Sequence, residues 1–262
     1  MSSNNDTISK TLIVVISLCL VCALVVSTAA VQLRPLQQAN MLLDAQTNIL
    51  RSARVLDGAA SAARVRELFD QYVEERVINL STGEFTDKDP MQFDYRASWR
   101  DPELSTQLSK QQDVASIRRA PHYAPVYLVR NDAGELTSLV LPIHGYGLWS
   151  TMHAFIALET DGNTIIGMNY YEQGETPGLG GEIENPRWIG QFEGKRLFDE
   201  QGNLALTIVR PGNASDPYHE IDGLSGATLT ANGVQNTFTF WMGDKGFGPF
   251  LSKVQQGALN NG

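Results

Sequence analysis

Residues 222–233 read "DGLSGATLTANG", an acidic residue followed by small and hydroxyl side chains. Beyond them Val234, Phe238 and Trp241 fall on one side of a 3.6-residue period, so the pattern predicts a helix opening near Thr228. "TFTF" at 237–240 also alternates as a strand would. The first turn of a helix holds unpaired N–H groups at the positive end of its dipole, which favours a phosphate. Two readings follow. Ser225 or Thr228 caps the helix, the ordinary use of such residues, which leads on residue types alone. Alternatively Thr228 carries a phosphate ester, Ser225 and the flanking amides meet its oxygens, and Gly226 and Ala227 leave room for a bulky group.

Working outward, the chain before this stretch is rich in strand signals. "PVYLVRN" (125–131) and "ELTSLVLPI" (135–143) flank "DAG", and "MHAFIALE" (152–159) and "TIIGMNYYE" (164–172) flank "TDGN". Each set reads as a β-hairpin. "LALTIVRPG" (204–212) is a fifth strand candidate, and "NPRWIGQFEGK" (185–195) suits a short helix capped by Asn185 with Pro186 at its first position. Further upstream, 34–79 reads as helical with a break at Asp57-Gly58. Leu42, Ile49 and Leu56 recur at sevens, and Val65, Leu68, Phe69, Tyr72 and Val73 mark one buried face. The expected class is α+β, an antiparallel-rich sheet flanked by helices.

The N-terminus has a different character. "TLIVVISLCLVCALVVSTAAVQL" (11–33) carries no charge, and about 20 apolar residues suffice to span a bilayer's hydrocarbon core. It is too long for a signal-peptide h-region, which runs to about 7–15 residues, so an uncleaved anchor is expected. Cys19 and Cys22 lie inside it and read as small buried hydrophobes, not as a redox or metal pair. Lys10 on one side against Arg34, Arg51 and Arg54 on the other gives a positive-inside count that mildly favours the reverse topology to that implied below. The expected organisation is a stub over 1–10, the anchor over 11–33, a helical stalk and accessory region over 34–120, and a ligand-binding domain over 121–262.

Several function classes are excluded. A formal net charge of −9 argues against a nucleic-acid surface. No G-x-G-x-x-G after a strand and no P-loop is present. His122, His144, His153 and His219 lack zinc-ligand spacing, and Ser225 does not sit in G-x-S-x-G. Three glycine-bearing clusters remain: "HGYGLW" (144–149), "GETPGLGGE" (174–182) and "DGLSGAT" (222–228). Glycine lets a backbone approach a ligand closely and neighbouring aromatics stack on planar rings.

"DGLSGAT" resembles the D-x-x-[ST]-G-A-[ST] motif of FMN-binding domains in which flavin is joined by a phosphoester to the last Thr or Ser. "ETPGLG" (175–180) resembles a second hallmark of that family. With "GYGLW", the length and the single N-terminal span, the whole chain resembles the C subunits of Na⁺-translocating NADH:quinone oxidoreductases. The resemblance implies covalent FMN on Thr228, with Leu224, Ser225, Gly226 and Ala227 bordering its phosphate and ribityl chain. It places Glu175, Thr176, Gly178, Leu179 and Gly180 against the isoalloxazine, adds Tyr146, Gly147, Leu148 and Trp149, and makes Asp222 part of a flavin transferase's recognition motif. It further implies other membrane, flavin and iron–sulfur subunits as partners, and a single-pass protein of a bacterial inner membrane with a periplasmic domain. The G subunit of the Rnf complex and a non-redox anchored binding module are the alternatives.

Overall fold

The computed structural model describes residues 7–259; residues 1–6 of the expected stub lie outside them. In chain order the elements begin with α1 (Ile8–Ser52), α2 (Ala62–Tyr72), β1 (Val73–Asn79), β2 (Glu84–Phe85) and α3 (Tyr95–Ser98). β3 (Ser105–Gln107), β4 (Arg119–Pro121), β5 (Tyr123–Arg130), β6 (Leu136–Tyr146), β7 (Thr151–Leu158) and β8 (Ile165–Glu172) follow. α4 (Pro186–Ile189), β9 (Thr207–Val209), β10 (Glu220–Asp222), α5 (Thr228–Trp241) and α6 (Gly248–Gln255) complete the chain. Two compact units are present, Met1–Asp44 and Ala45–Gly262.

From Ile8 onward the first unit is helical. α1 is long and apolar enough to cross a membrane, and its side chains from Leu12 to Val31, Cys19 and Cys22 included, are exposed. That fits a single-pass anchor.

The second unit is built on a six-stranded sheet in the order β2-β1-β5-β6-β7-β8, antiparallel throughout. Period-2 alternation serves both faces. On β6, Leu139, Leu141 and Ile143 join one core with Phe238 and Trp241 of α5, while Val140 joins Ile49, Tyr127 and Phe155 in a second. A sheet covered on both sides reads as nearly continuous apolar runs, as β5 to β7 do. Both expected hairpins are present, and Asn185 caps α4 by accepting from the Arg187 amide at 3.0 Å.

Two expectations are corrected, and at 237–240 the helical reading holds over the strand alternative. Residues 73–79 form a strand, not the end of a helix: Val73 closes α2 through its amide to Phe69 O, and β1 then pairs with β5 along its whole length. The helical period runs one residue too far, while β-branched Val77 and Ile78 favour extended backbone. β1 and β2 therefore belong to the same sheet as the hairpins, so strands begin well before residue 121. The candidate strand 204–212 shrinks to β9, which pairs in parallel with β10 outside the main sheet, because the Ala205 and Leu206 amides both bond to Leu197 O. "TFTF" is helical: Thr237 and Thr239 satisfy their hydroxyls on Gly233 O and Gln235 O one turn back, at 2.8 and 3.0 Å.

α5 lies close on the end of β6. A Cβ on Gly233 would stand 2.5 Å from Tyr146 O and 2.9 Å from the Gly147 Cα, both backbone atoms unable to give way. Gly233→Val is expected to destabilise the protein by about 2–3 kcal/mol through overpacking, measured by urea unfolding of the detergent-solubilised protein.

Two of the four histidines belong to the packing. His144 and His153 pair across β6 and β7, and Trp99 stacks on both, with ring centroids 4.0 and 5.5 Å away. Burial holds His144 well below the usual imidazole range, with His153 and Arg96 adding to it. Burial and then Arg96 push His153 down to about 4, against the opposing pull of Glu172. The unfolded chain takes up protons near 6.5 that the folded one refuses until about 4, so stability is full above pH 6.5 and falls as pH drops through that window. His153→Phe is expected to flatten the decline in denaturation midpoint between those pH values.

Candidate functional site

Two of the three glycine clusters and the first turn of α5 converge through one carboxylate. Glu175, only 4% exposed, accepts hydrogen bonds from the amides of Leu148 (3.1 Å), Trp149 (2.9 Å) and Ser150 (3.1 Å). It also accepts from the Thr230 hydroxyl at 2.6 Å. Cluster 144–149, cluster 174–182 and the first turn of α5 thus share one buried anion. Burial pushes the Glu175 pKa up, but the Thr230 hydroxyl and the three amides outweigh it, and the carboxyl sits below its ordinary range. Glycines permit this approach: a Cβ on Gly147 would lie 2.7 Å from Glu175 Oε1, and one on Gly180 would lie 2.5 Å from Thr230 Oγ1. Thr176 closes the loop by accepting at its carbonyl from the Leu179 and Gly181 amides.

Thr228 is the first residue of α5, and the cap position belongs to Ala227, which makes no side-chain cap hydrogen bond. Neither expected cap is one: the Ser225 and Thr228 hydroxyls have no hydrogen-bond partner among the described residues. Both side chains are exposed, as is Gly226, whose φ of +76° is a left-handed conformation that glycine adopts freely. Buried Leu224 and Ala227 pin the loop on either side. The amides of Thr228, Leu229 and Thr230 have no acceptor among the described residues, as expected for a first turn.

The loops tied to the first turn of α5 by Glu175 expose several apolar side chains. Trp149 is 65% and Leu229 59% exposed, and Tyr146, Leu148 and Leu179 are also open. Leu179 reaches the 222–228 loop directly, its Cδ2 lying 3.2 Å from where a Gly226 Cβ would be. Tyr146 braces the turn by donating its hydroxyl to Trp149 O at 2.9 Å. On the other flank an open cleft of about 570 Å³ is lined by Gly178, Gly223, Leu224, Ser225, Trp188 and Gln191.

Of the residues singled out by sequence, those of 146–149, 176–180 and 224–228 meet in this neighbourhood. Two point elsewhere. The Glu175 carboxylate is turned inward and holds the loops together, and Asp222 Oδ1 accepts from the Asn213 and Ala214 amides at 2.9 and 3.0 Å. Thr230 belongs to the site without belonging to any of the three clusters. Its one signal in the sequence is the second hydroxyl in "TLT", two residues past the motif.

Comparison with known proteins shows the family. An FMN-binding domain model matches residues 147–243, which contain all of the site except Tyr146. The chain is 53% identical over 259 residues to the C subunit of Na(+)-translocating NADH-quinone reductase from Yersinia pestis, covering 99% of this chain and 97% of that one. The chain belongs to this C-subunit family. The protein of the same name from Vibrio alginolyticus is 54% identical over 260 residues, covering 99% of this chain and 100% of that one. Among solved structures, Shewanella oneidensis NqrC aligns with a TM-score of 0.75 at 37% identity, covering 84% of this chain and 99% of that one. The family member from Parabacteroides distasonis aligns with a TM-score of 0.65 at 28% identity, with 84% and 97% covered. Membership in the family therefore extends over the anchor as well as the FMN-binding domain.

Proposed function

We propose that this chain carries FMN as a phosphoester on Thr228 and relays electrons within a Na⁺-translocating NADH:quinone oxidoreductase. The observation that carries the proposal is the Thr228 hydroxyl, exposed and unbonded at the start of α5, beside a left-handed glycine and an apolar rim. The residues present fit the group. The unpaired amides of Thr228, Leu229 and Thr230 suit the phosphate oxygens, with Ser225 beside them. Trp149, Tyr146, Leu148 and Leu179 offer aromatic and aliphatic surface to the ring system. Bound flavin supplies a group that takes up and passes on single electrons.

The chain's own residues do the holding. Glu175 and Thr230 fix the apolar rim relative to the helix end, so the ester bond and the ring surface keep one geometry. Attachment by a flavin transferase joins Thr228 Oγ1 to the FMN-side phosphorus of FAD. The pyrophosphate P–O bond breaks, AMP departs with its electron pair, and the hydroxyl proton leaves to base, with no change of oxidation state. A covalent link suits a domain on the periplasmic side of the inner membrane, where a dissociated cofactor is lost. NADH and quinone then react on other subunits. Full-length similarity to the C subunits supports this reading over the G subunit of Rnf, and the FMN-binding match supports it over a non-redox module.

The test is direct. The protein is co-expressed with a flavin transferase, purified and run on a denaturing gel under ultraviolet light. A fluorescent band is expected, and a dark band contradicts the covalent flavin.

A further inference from the structure

We infer that Asp222, Trp188 and Gln191 are positioning residues for flavin attachment, and that the motif's aspartate acts by holding the acceptor loop, not by presenting its charge to the transferase. The inference rests on the proposed attachment at Thr228.

Every backbone polar group of Asp222 is gripped from within the domain. Its N–H donates to Gln191 Oε1 at 3.0 Å, and its carbonyl accepts from Trp188 Nε1 at 2.8 Å and Gln191 Nε2 at 3.4 Å. The Gln191 amide therefore stands beside β10 as a neighbouring strand would, one donor and one acceptor against one residue. The Asp222 carboxylate closes the 213–214 turn, its Oδ1 accepting from both amides. Gln235 of α5 holds the chain at β9 in a related way, through two residues instead of one. It accepts from the Ile208 amide at 2.7 Å and donates to Leu206 O at 3.1 Å.

The acceptor loop starts at the next residue. The Gly223 amide bonds to Val209 O at 2.8 Å, extending the β9–β10 ladder by one residue. A Cβ at Gly223 would lie 2.7 Å from that same oxygen, so the chain leaves β10 in close backbone contact. Leu224 and Ala227 are buried, which leaves Ser225, Gly226 and Thr228 as the exposed part of a loop whose origin is clamped. Among the described residues one Asp222 oxygen is engaged, in an acceptor role that an amide oxygen fills equally well. The amides of Asn213 and Ala214 give that oxygen a structural task that does not depend on the charge.

The test uses the full-length protein, expressed without transferase, purified in detergent and incubated with purified transferase and FAD. Covalent flavin is followed against time. Asp222→Asn keeps the acceptor and loses the charge, and is expected to flavinylate within about twofold of wild type, whereas Asp222→Leu slows at least about tenfold. Trp188→Phe keeps the ring and the aspartate but removes one donor, and is expected to slow attachment about threefold to tenfold. Hydrogen exchange at 213–214 and 223–227 should rise in Asp222→Leu and Trp188→Phe and stay at the wild-type level in Asp222→Asn. The inference is overturned if Asp222→Asn is as slow as Asp222→Leu while its exchange matches wild type, since the charge itself is then read. It is equally overturned if Trp188→Phe flavinylates at the wild-type rate. Wild type that gains no flavin, or Thr228→Ala that gains one, defeats the attachment reading instead.

Discussion

Thr228→Ala is expected to abolish covalent flavin completely while leaving the fold intact. The side chain is exposed and its hydroxyl bonds to nothing among the described residues, so its removal takes away a nucleophile and no packing. Surface changes of this kind shift stability by within about 0.5 kcal/mol. Thr228→Ser keeps an oxygen at the same place and is expected to retain attachment. Gel fluorescence and a denaturation midpoint, measured together, separate lost chemistry from lost structure. An ordinary capping threonine predicts the reverse, a destabilised helix with no change in flavin.

The second large effect belongs to Glu175. Glu175→Leu leaves three part-buried amides and the buried Thr230 hydroxyl without an acceptor, and each such loss carries a desolvation cost. The expected destabilisation is about 3–5 kcal/mol by urea unfolding, with covalent flavin falling in parallel. Because the folded carboxyl sits below its ordinary range, its stabilisation is present above the unfolded carboxyl pKa of about 4.3 and is lost as pH falls through the lower folded value. Glu175→Leu should therefore lose part of the wild-type protein's acid sensitivity below about pH 4. Unchanged stability and flavin content in this variant contradict the role of Glu175 as the common anchor.

Much of the sheet was legible because strand-forming apolar runs and two turn signals are local properties of β5 to β8. α5 was legible for the same reason, with apolar spacing starting where the small residues end. β1 was hidden because the amphipathic count of α2 includes Val73, so the helix pattern overlaps the strand by one residue. What positions the site was not legible. Glu175 reaches donors 25 to 27 residues before it and 55 after it, and no spacing rule encodes that contact. The roles of Asp222, Trp188 and Gln191 are hidden likewise, since a side chain gripping a distant backbone leaves no pattern in the residues around it. The cap reading of Thr228 failed on a local detail, because the backbone of Ala227 takes the cap position and leaves both hydroxyls outside.

The most direct measurement is mass spectrometry of the proteolytic peptide that contains Thr228, taken from protein co-expressed with a flavin transferase. The expected result is a peptide heavier by one FMN less one water, with fragmentation placing the added mass on Thr228. An unmodified peptide, or a flavin placed on Ser225 or Thr230, contradicts the account.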